Sequence, residues 1–322
     1  MRIFRSLDEV PPDFGPSALT IGNFDGVHFG HRQILRRLAA IAAANGWKPS
    51  VVTFEPHPTR LVAPRRSPRL LTTPERRAEL MREEGVEQVL ILPFTRQVAQ
   101  LSAEEFVSQL LVDRLGARAV LVGDNFRFGR GQAGNVRSLE EWGPKYGFRT
   151  EIVRAVACRG RIVSSSGVRG LILAGNVSLA ARQLQRPYAL EGDVVSGRGV
   201  GSRQTVPTLN LSTGAEVIPA GGVYVTRTFD RASGRQWRSI TNIGVRPTFG
   251  PGGPLTIETF LLDPLDGDTP PGIRVEFLWR LRSEKTFASP EDLKAQIMTD
   301  VRAAESYFRR AKAWIGRRLT PA

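Results

Sequence analysis

The sequence predicts an α/β domain with a parallel sheet, followed by a small antiparallel β-barrel and a C-terminal helix. Residues 1–186 alternate strand-like apolar runs with helix-like stretches, which is the pattern of parallel strands joined by helices. From Pro187 onward, short strands alternate with turns rich in Gly, Pro and Asp, and no helix is predicted until the end of the chain. The 322 residues suffice for two domains with separate cores, so we place the boundary between residues 186 and 187.

The composition is that of a globular protein. Hydrophobic residues make up 41% of the chain and charged residues 24%. No apolar run is long enough to span a bilayer, and the first residues lack the hydrophobic region of a signal peptide. Cys158 is the only cysteine, which excludes an intrachain disulfide and makes thiol catalysis unexpected. We therefore expect a cytoplasmic protein without a membrane partner, either a monomer or a weak homo-oligomer.

The chain is strongly basic. Lys and Arg outnumber Asp and Glu by 45 to 31, a net charge of +14, which raises the hypothesis of a nucleic-acid-binding protein. The excess is spread along the chain and contains no long basic block. Solvated surfaces and anionic nucleotide substrates explain the charge equally well, so we expect no nucleic-acid partner and keep nucleic-acid binding as an alternative.

The most informative stretch is a glycine-rich loop between the first buried strand and the first helix. The apolar run 18–21 precedes this loop, and apolar residues at helical spacing follow it. Gly26 and Gly30 permit a backbone path that a Cβ would obstruct. Because the first amides of a helix carry partial positive charge, we expect a phosphate to bind here.

Two of the three histidines of the chain lie in this loop. His28 and His31 are three residues apart, on either side of Gly30, so both rings can reach the same phosphate. Imidazole donors there could stabilise the charge of a transition state. The alternative is a pair of solvated or helix-capping histidines.

Two further strands end in polar loops that should meet the same crevice, because ligands collect at the carboxyl ends of parallel strands. The strand at residues 50–54 is followed by His57 between two prolines. The strand at residues 119–122 is followed by Asn125, Phe126 and Phe128, which suit a planar, polar heterocycle. A structural turn histidine and two core-filling phenylalanines are the alternatives.

Three helices have clear start signals. Thr73 and Pro74 predict a helix that runs to about Glu84. Ser102 has the capping-box spacing, and this helix should carry Phe106 inward. A third helix start comes at residues 164–169. Ser164 and Ser165 can cap this helix or hold phosphates, and Arg169 offers a bidentate fork to phosphate oxygens.

The second domain contains a glycine loop followed by a strand with two oxygen-bearing side chains. Gly199 and Gly201 belong to a flexible loop whose amides could wrap phosphates. Thr208 and Asn210 have the same strand parity and present two oxygens to one side, which suits Mg²⁺. The alternative is a glycine hairpin beside a polar strand edge.

Glu258 is an informative carboxylate of the second domain. It shares a strand face with Phe260 and Leu262, and burial among apolar neighbours would raise its pKa toward a value useful for proton abstraction. A surface glutamate is the alternative.

The last strand and the last helix should both pack on the barrel. Apolar and charged residues alternate along the last strand, which predicts that one face packs in the core. This face is formed by Ile273, Val275, Phe277, Trp279 and Leu281. Ser289 and Pro290 begin the final helix, and its predicted inward stripe is Leu293, Ile297, Val301, Ala304 and Phe308.

Residues 22–31 resemble the signature of the prokaryotic bifunctional riboflavin kinase/FAD synthetase family. The His-x-Gly-His core is common to nucleotidyltransferases, and residues 23–27 before it narrow the resemblance to the flavin branch. Residues 53–58, 123–129 and 164–169 resemble further elements of the family. The resemblance implies a Rossmann-like nucleotidyltransferase domain. It implies catalytic roles for His28, His31 and Arg169, an ATP site at Gly22, Asn23, Phe24, Asp25, Gly30, Ser164 and Ser165, and a flavin site at Asn125, Phe126, Phe128 and His57.

Residues 207–210 resemble the Pro-Thr-Ala-Asn element of riboflavin kinases, and the strand around Glu258 resembles their catalytic strand. The resemblance implies a riboflavin-kinase barrel in which Thr208 and Asn210 bind Mg²⁺, Glu258 is the general base, and Gly199 and Gly201 contact ATP. This chain departs from the riboflavin-kinase pattern at three positions: Leu209 stands where Ala is usual, Thr205 where Gly is usual, and Ser196 where His is common.

The resemblance implies a bifunctional enzyme with ATP as co-substrate and Mg²⁺ as cofactor. It would phosphorylate riboflavin to FMN and adenylylate FMN to FAD with release of pyrophosphate. The departures leave open an FMN adenylyltransferase with a degenerate kinase domain. A cytidylyltransferase for another phosphorylated alcohol would share the histidine loop but would not explain the barrel.

Overall fold

The computed structural model describes residues 1–195, 208–245 and 255–318, with the side chains of the last helix described as far as residue 311. The chain divides into two compact units between Gly167 and Val168. The strands of the first unit are β1 (Arg2–Phe4), β2 (Ser17–Ile21), β3 (Lys48–Glu55), β4 (Gln88–Pro93), β5 (Ala117–Gly123), β6 (Arg127–Phe128), β7 (Gly134–Asn135), β8 (Arg149–Val153), β9 (Ala157–Cys158) and β10 (Arg161–Ile162).

Six of these strands form a parallel sheet in the order β1-β4-β3-β2-β5-β8. Two antiparallel pairs, β6 with β7 and β9 with β10, lie outside it. The order of strands reverses between β2 and β5, because β3, β4 and β1 extend to one side and β5 and β8 to the other. In an open parallel sheet, the crevice at such a switch point is where ligands bind. The histidine loop follows β2 directly, so the sheet positions it at this crevice.

Helices connect the strands of the sheet. The helices up to the barrel are α1 (Phe29–Asn45), α2 (Pro58–Val62), α3 (Pro74–Glu83), α4 (Arg96–Gln100), α5 (Ala103–Glu105), α6 (Val136–Tyr146), α7 (Ser165–Leu173) and α8 (Val177–Leu184). The backbone after α5 continues with π-helical winding over Phe106–Arg114, and short 3₁₀ turns cover Pro64–Arg66 and Arg130–Gln132. The predicted N-cap at Thr73 and the capping box between Ser102 and Glu105 are both confirmed.

The central sheet is buried on both faces. Leu19 and Ile21 of β2 pack into one core with Phe106 and Phe128, whereas Ala18 packs into another core with α1. Successive residues of a strand point to opposite faces, so one apolar strand contributes to two cores. The continuous apolar runs predicted as buried parallel strands follow from this arrangement.

The second unit contains a closed six-stranded barrel with antiparallel pairing in the order β11-β12-β15-β14-β13-β16. Its elements are β11 (Tyr188–Val195), β12 (Thr208–Ser212), β13 (Gly222–Asp230), β14 (Gln236–Val245), β15 (Leu255–Leu261), β16 (Gly272–Arg282) and the final helix α9 (Pro290–Arg318). The predicted fold, an α/β domain and then a barrel with a C-terminal helix, is confirmed. Within the described residues, no helix is both long and apolar enough to cross a membrane.

The prediction that Trp279 belongs to the core face of the last strand is wrong, because 49% of this residue is exposed. Val225 of β13 pairs with Trp279, but the next residue, Thr226, pairs with Phe277, so Leu278 is left without a partner. This β-bulge shifts the alternation by one residue. Ile273, Val275 and Phe277, which precede it, are buried as predicted.

The prediction of a continuous inward stripe on the last helix is also wrong in its first half. Leu293 and Ile297 are 42% and 37% exposed. The helix meets the barrel further along, where Asp300 pairs with Arg282 at 2.8 Å. Ala304 is fully buried beyond this ion pair, and Val301 and Phe308 pack against the same core. Sequence periodicity marks one face of a helix, whereas the point of first contact depends on where the barrel surface lies.

Candidate functional site

The loop after β2 has a strained backbone that its own side chains hold in place. Gly22 donates its N–H to the carbonyl oxygen of Val52 at 3.1 Å. Phe24, Gly26 and Val27 adopt left-handed conformations with φ angles of 49°, 78° and 38°. Such angles are unfavourable for Phe and Val, but both side chains are buried in the core, which offsets the strain.

Asp25 fixes this loop to its surroundings. Its carboxylate accepts hydrogen bonds from the N–H groups of Leu71 and Thr72, at 2.8 and 3.2 Å, and the residue is 3% exposed. Gly26 donates its N–H to the hydroxyl of Thr72 at 3.1 Å, and Ser165 donates its hydroxyl to the carbonyl oxygen of Asp25 at 2.9 Å. The carboxylate of Asp25 therefore binds backbone amides before α3, and its main chain meets the start of α7.

His28 is the N-cap of α1. Its Nδ1 accepts a hydrogen bond from the backbone N–H of His31 at 3.4 Å. In a neutral ring the proton then resides on Nε2, which leaves a donor on the other side of the imidazole. The rings of His28 and His31 stack with centroids 3.7 Å apart and planes 15° apart. A Cβ on Gly30 would lie 3.3 Å from Cε1 of His28, so glycine gives this ring its space.

His31 is neutral at pH 7 in the free protein. Burial lowers the pKa of its ring well below the usual value, and the neighbouring His28 and Arg77 lower it further. Its Nδ1 is buried without a hydrogen-bond partner among the described residues. Phe24 packs beside the ring at 5.0 Å between centroids. The two predicted histidines are thus brought together at the positive end of α1, where an anionic group binds favourably.

Arg77 is a residue of this region that sequence reasoning missed. It lies on α3 and is 2% exposed. Its Nη1 donates to the hydroxyl of Thr53 at 3.1 Å, and this hydroxyl donates to the carbonyl oxygen of Asn23 at 3.2 Å. In sequence, Arg77 is one basic residue of an arginine pair on a helix, so local pattern alone carries no signal of its burial.

The remaining predicted residues of the flavin site lie in two loops. His57 caps α2, and its Nδ1 lies 2.8 Å from the hydroxyl oxygen of Thr59. Asn125 is exposed just after β5. Phe126 is half-buried and stacks on Phe128 with centroids 5.5 Å apart, whereas Phe128 is buried in the core. Asn125 and Phe126 can therefore meet a ligand, while Phe128 supports them from inside.

The predicted serines lie at the start of α7. Ser164 accepts a hydrogen bond at its hydroxyl from the N–H of Gly167 at 3.1 Å and so caps the helix, while Ser165 contacts the histidine loop as described above. Arg169 is half-buried on the same helix and falls in the second compact unit.

Three polar residues form a row on the outer face of the barrel. Asn210 of β12 and Asn242 of β14 both pair with Glu258 of β15. Paired residues of antiparallel strands point to the same face, so an amide, a carboxylate and a second amide lie side by side. All three are half-buried. Thr208, two residues before Asn210, is exposed on the same face. The neighbouring Leu209, Ile257 and Thr259 are buried on the inner face.

Gly199 and Gly201 lie outside the described residues, as do Thr205 and Ser196.

Family models identify both parts of the chain. A FAD synthetase model matches residues 11–167, and a riboflavin kinase model matches residues 184–308. The chain belongs to the bifunctional riboflavin kinase/FMN adenylyltransferase family. A protein of this name from Pseudomonas fluorescens is 38% identical over 306 residues, which cover 95% of this chain and 97% of the relative. Its namesake from Escherichia coli strain K12 is 35% identical over 308 residues, with 96% and 97% covered.

Among the solved structures that match, one example covers almost the whole chain. It is described as a macrolide-efflux protein from Streptococcus pneumoniae, and it superposes with a TM-score of 0.82 at 26% identity, covering 94% of this chain and 98% of that one. Its fold is therefore shared with this member of the riboflavin kinase/FMN adenylyltransferase family. The name of that protein says nothing about the chemistry of the residues described above.

Proposed function

We propose that this chain makes FAD from riboflavin in two steps. Its barrel transfers the γ-phosphoryl group of ATP to riboflavin, which gives FMN. Its α/β domain then transfers the adenylyl group of a second ATP to FMN, which gives FAD and pyrophosphate. The observation that carries the proposal is the presence of matches to both enzyme families, in order and on separate parts of the chain.

In the adenylyl transfer, a phosphate oxygen of FMN attacks the α-phosphorus of ATP, and pyrophosphate leaves. The reaction needs two anions held in line and charge stabilised on the phosphates. His28 offers an Nε2 donor at the start of α1, and the helix amides add partial positive charge. His28, His31 and Arg169 act on the phosphates, and ATP contacts the loop and helix starts at Gly22, Asn23, Phe24, Asp25, Gly30, Ser164 and Ser165.

The flavin of the adenylyl transfer lies against the loop after β5. Asn125 is exposed there, and the half-buried Phe126, supported from inside by Phe128, provides an aromatic surface that suits an isoalloxazine ring. His57 follows β3, which is separated from β5 by β2 in the sheet, and in this proposal it adds a ring nitrogen to the polar side of the site.

In the phosphorylation, the terminal hydroxyl of the ribityl chain attacks the γ-phosphorus of ATP. Glu258 accepts the proton of this hydroxyl, and Asn210 and Asn242 flank its strand position. The exposed Thr208 and the half-buried Asn210 provide a hydroxyl and an amide oxygen on one face, and such oxygens fit Mg²⁺. When bound, Mg²⁺ neutralises charge on the ATP phosphates. Gly199 and Gly201 contact ATP in this proposal.

The proposal also covers the location, the oligomeric state, the partners and the domain boundary of the enzyme. The enzyme works in the cytoplasm as a monomer or weak homo-oligomer, without nucleic-acid or membrane partners. The domain boundary lies between residues 186 and 187, close to the start of the riboflavin kinase match at residue 184. In sequence α8 precedes this boundary, but it packs on β16 and β11 and falls in the second compact unit.

The deciding experiment incubates the purified chain with riboflavin, ATP and Mg²⁺ and separates the flavins by chromatography. We expect FMN and then FAD. If supplied FMN becomes FAD but riboflavin never becomes FMN, the kinase half of the proposal fails and the degenerate-kinase alternative stands. Salt-dependent binding to oligonucleotides without any flavin turnover would instead support the nucleic-acid alternative.

A further inference from the structure

Arg77 is a charged side chain in an unusual position. It is one of the largest fully buried side chains among the described residues. Burial lowers the pKa of its guanidinium, which the negative charges of Asp25, Glu55 and Glu75 partly reverse. A guanidinium remains protonated in proteins, so a permanent positive charge is held inside the first domain. Burying such a charge costs free energy unless the charge has polar partners. We therefore expect a functional role for Arg77.

The partners of Arg77 lead to the histidine loop. The guanidinium holds the hydroxyl of Thr53 on β3, and this hydroxyl holds the carbonyl oxygen of Asn23. Asn23 lies between Gly22 and the left-handed Phe24, where the backbone is strained. Two hydrogen bonds therefore connect α3, through the sheet, to the loop that carries the stacked histidines.

The same region contains buried polar atoms that lack partners among the described residues. They are Thr20 Oγ1, Asn23 Oδ1, His31 Nδ1, Glu55 Oε2 and Arg77 Nε. Thr20, Thr53 and Glu55 have the parity that places them on the α1 side of the sheet, with Ala18 and Val51. Most buried polar atoms in folded proteins have a hydrogen-bond partner. Five such atoms in the same region without one among the described residues therefore indicate that the region is arranged for polar interactions.

Building on the proposed adenylyl transfer, we propose that Arg77 is a positioning residue of the N-terminal site. It fixes the histidine loop through Thr53 and holds a permanent positive charge behind the pair of His28 and His31. After burial and His28, Arg77 is a further cause that keeps His31 neutral in the free enzyme, and a neutral imidazole still has one N–H donor for the incoming phosphates. The lowered pKa of His31, with His28 and Arg77 among its causes after burial, agrees with this arrangement.

The groups that set the charge around His31 come from several elements. His28 stacks on it from the same helix start, and Arg77 approaches from α3. Asp25 of the loop, Glu55 of β3 and Glu75 of α3 act on Arg77. Removing the charge of Arg77 should therefore raise the titration midpoint of His31, since a like charge disfavours the protonated ring.

The experiment separates the charge of Arg77 from its hydrogen bond. Arg77→Gln removes the charge, Arg77→Lys keeps it without the planar fork, and Thr53→Val breaks the connection to Asn23 while keeping Arg77. Arg82→Gln, on the exposed side of the same helix, is the matched control. The chain has only three histidines, so NMR titration of the ring Cε1–H signals follows each of them.

We expect Arg77→Gln to raise the titration midpoint of His31 by about one pH unit, whereas Arg77→Lys, Thr53→Val and Arg82→Gln leave it in place. In Arg77→Gln and Thr53→Val, kcat for FAD formation should fall about tenfold or more, with FMN formation within twofold of wild type. FMN formation, in the other domain, thus controls for the fold of the whole chain.

The inference is overturned if the midpoint of His31 stays unchanged in Arg77→Gln, or if FAD formation stays within twofold in both Arg77→Gln and Thr53→Val. If Arg77→Gln fails to fold, Arg77→Lys and Thr53→Val decide: both must slow FAD formation while FMN formation persists. If wild type forms no FAD at all, the proposed function has failed, and the titration of His31 still tests the coupling to Arg77.

Discussion

The rings of His28 and His31 stack at 3.7 Å between centroids, and the backbone N–H of His31 donates to Nδ1 of His28. His28 therefore caps a helix, and in the proposed function it also donates its Nε2–H to a phosphate of ATP. Substitutions that preserve the cap can separate the two.

His28→Asn should keep the helix start and lose the chemistry. Asn is a good N-cap, so the free energy of unfolding should change by less than about 1 kcal/mol. Loss of a donor to the phosphates should lower kcat for FAD formation by about 100-fold or more, with FMN formation unchanged. Both rates can be measured in one chromatographic assay. Equal loss of both activities would contradict the assignment of His28 to the adenylyl transfer alone.

Glu258→Gln should have the opposite effect. The amide fills the same space between the positions of Asn210 and Asn242 but cannot accept the hydroxyl proton. FMN formation should fall by about 100-fold or more, while FAD formation from supplied FMN persists. Asp268→Asn, an exposed carboxylate of the same domain, is the control and should change neither rate. Normal FMN formation in Glu258→Gln would exclude this residue as the base.

Thr208→Val should change how the phosphorylation depends on Mg²⁺. Removal of one oxygen ligand should raise the Mg²⁺ concentration at half-maximal FMN formation by about tenfold, with little effect on FAD formation. Ser212→Ala removes a hydroxyl from the far end of the same strand and is the matched control. An identical Mg²⁺ dependence in wild type and Thr208→Val would place the metal elsewhere.

Gly129→Ala should destabilise the first domain far more than Gly131→Ala. Gly129 has φ 72° and ψ 175°, and a Cβ there would lie 2.6 Å from Cα of Ala103. Gly131 has φ 62° and ψ 16°, and its Cβ would meet nothing within 4 Å. We expect losses of about 3 kcal/mol or more and about 1 kcal/mol respectively. Urea unfolding followed by circular dichroism measures both, and equal losses would mean that Ala103 can move aside.

The stability of the first domain should fall as the pH drops below about 6.5. The pKa of His31 is lowered in the folded protein, so the unfolded chain binds more protons between the ordinary pKa and the lowered one. This contribution is fully present above pH 6.5 and is lost as the pH falls through the folded pKa. His31→Gln should flatten the stability profile below pH 6.5 in urea unfolding. An unchanged slope would mean that other groups dominate the acid sensitivity.

Local pattern was enough to predict much of the scaffold. The caps at Thr73 and Ser102 involve residues three positions apart, which the sequence places side by side once a helix forms. The neighbourhood of His28 and His31 could be predicted for the same reason. The exposure of Trp279 could not, because a bulge of β16 arises from its pairing with β13, about fifty residues earlier in the chain.

By itself, the sequence determined the order of the two folds, the family and the loop with its two histidines, since these depend on residues that are neighbours along the chain. Only the tertiary structure decided that Arg77 is buried, that Asn242 stands beside Glu258, and that the last helix packs on the barrel from Asp300 onward. Such relationships depend on how separate elements pack, and packing joins residues whose distance along the chain carries no information about their contact.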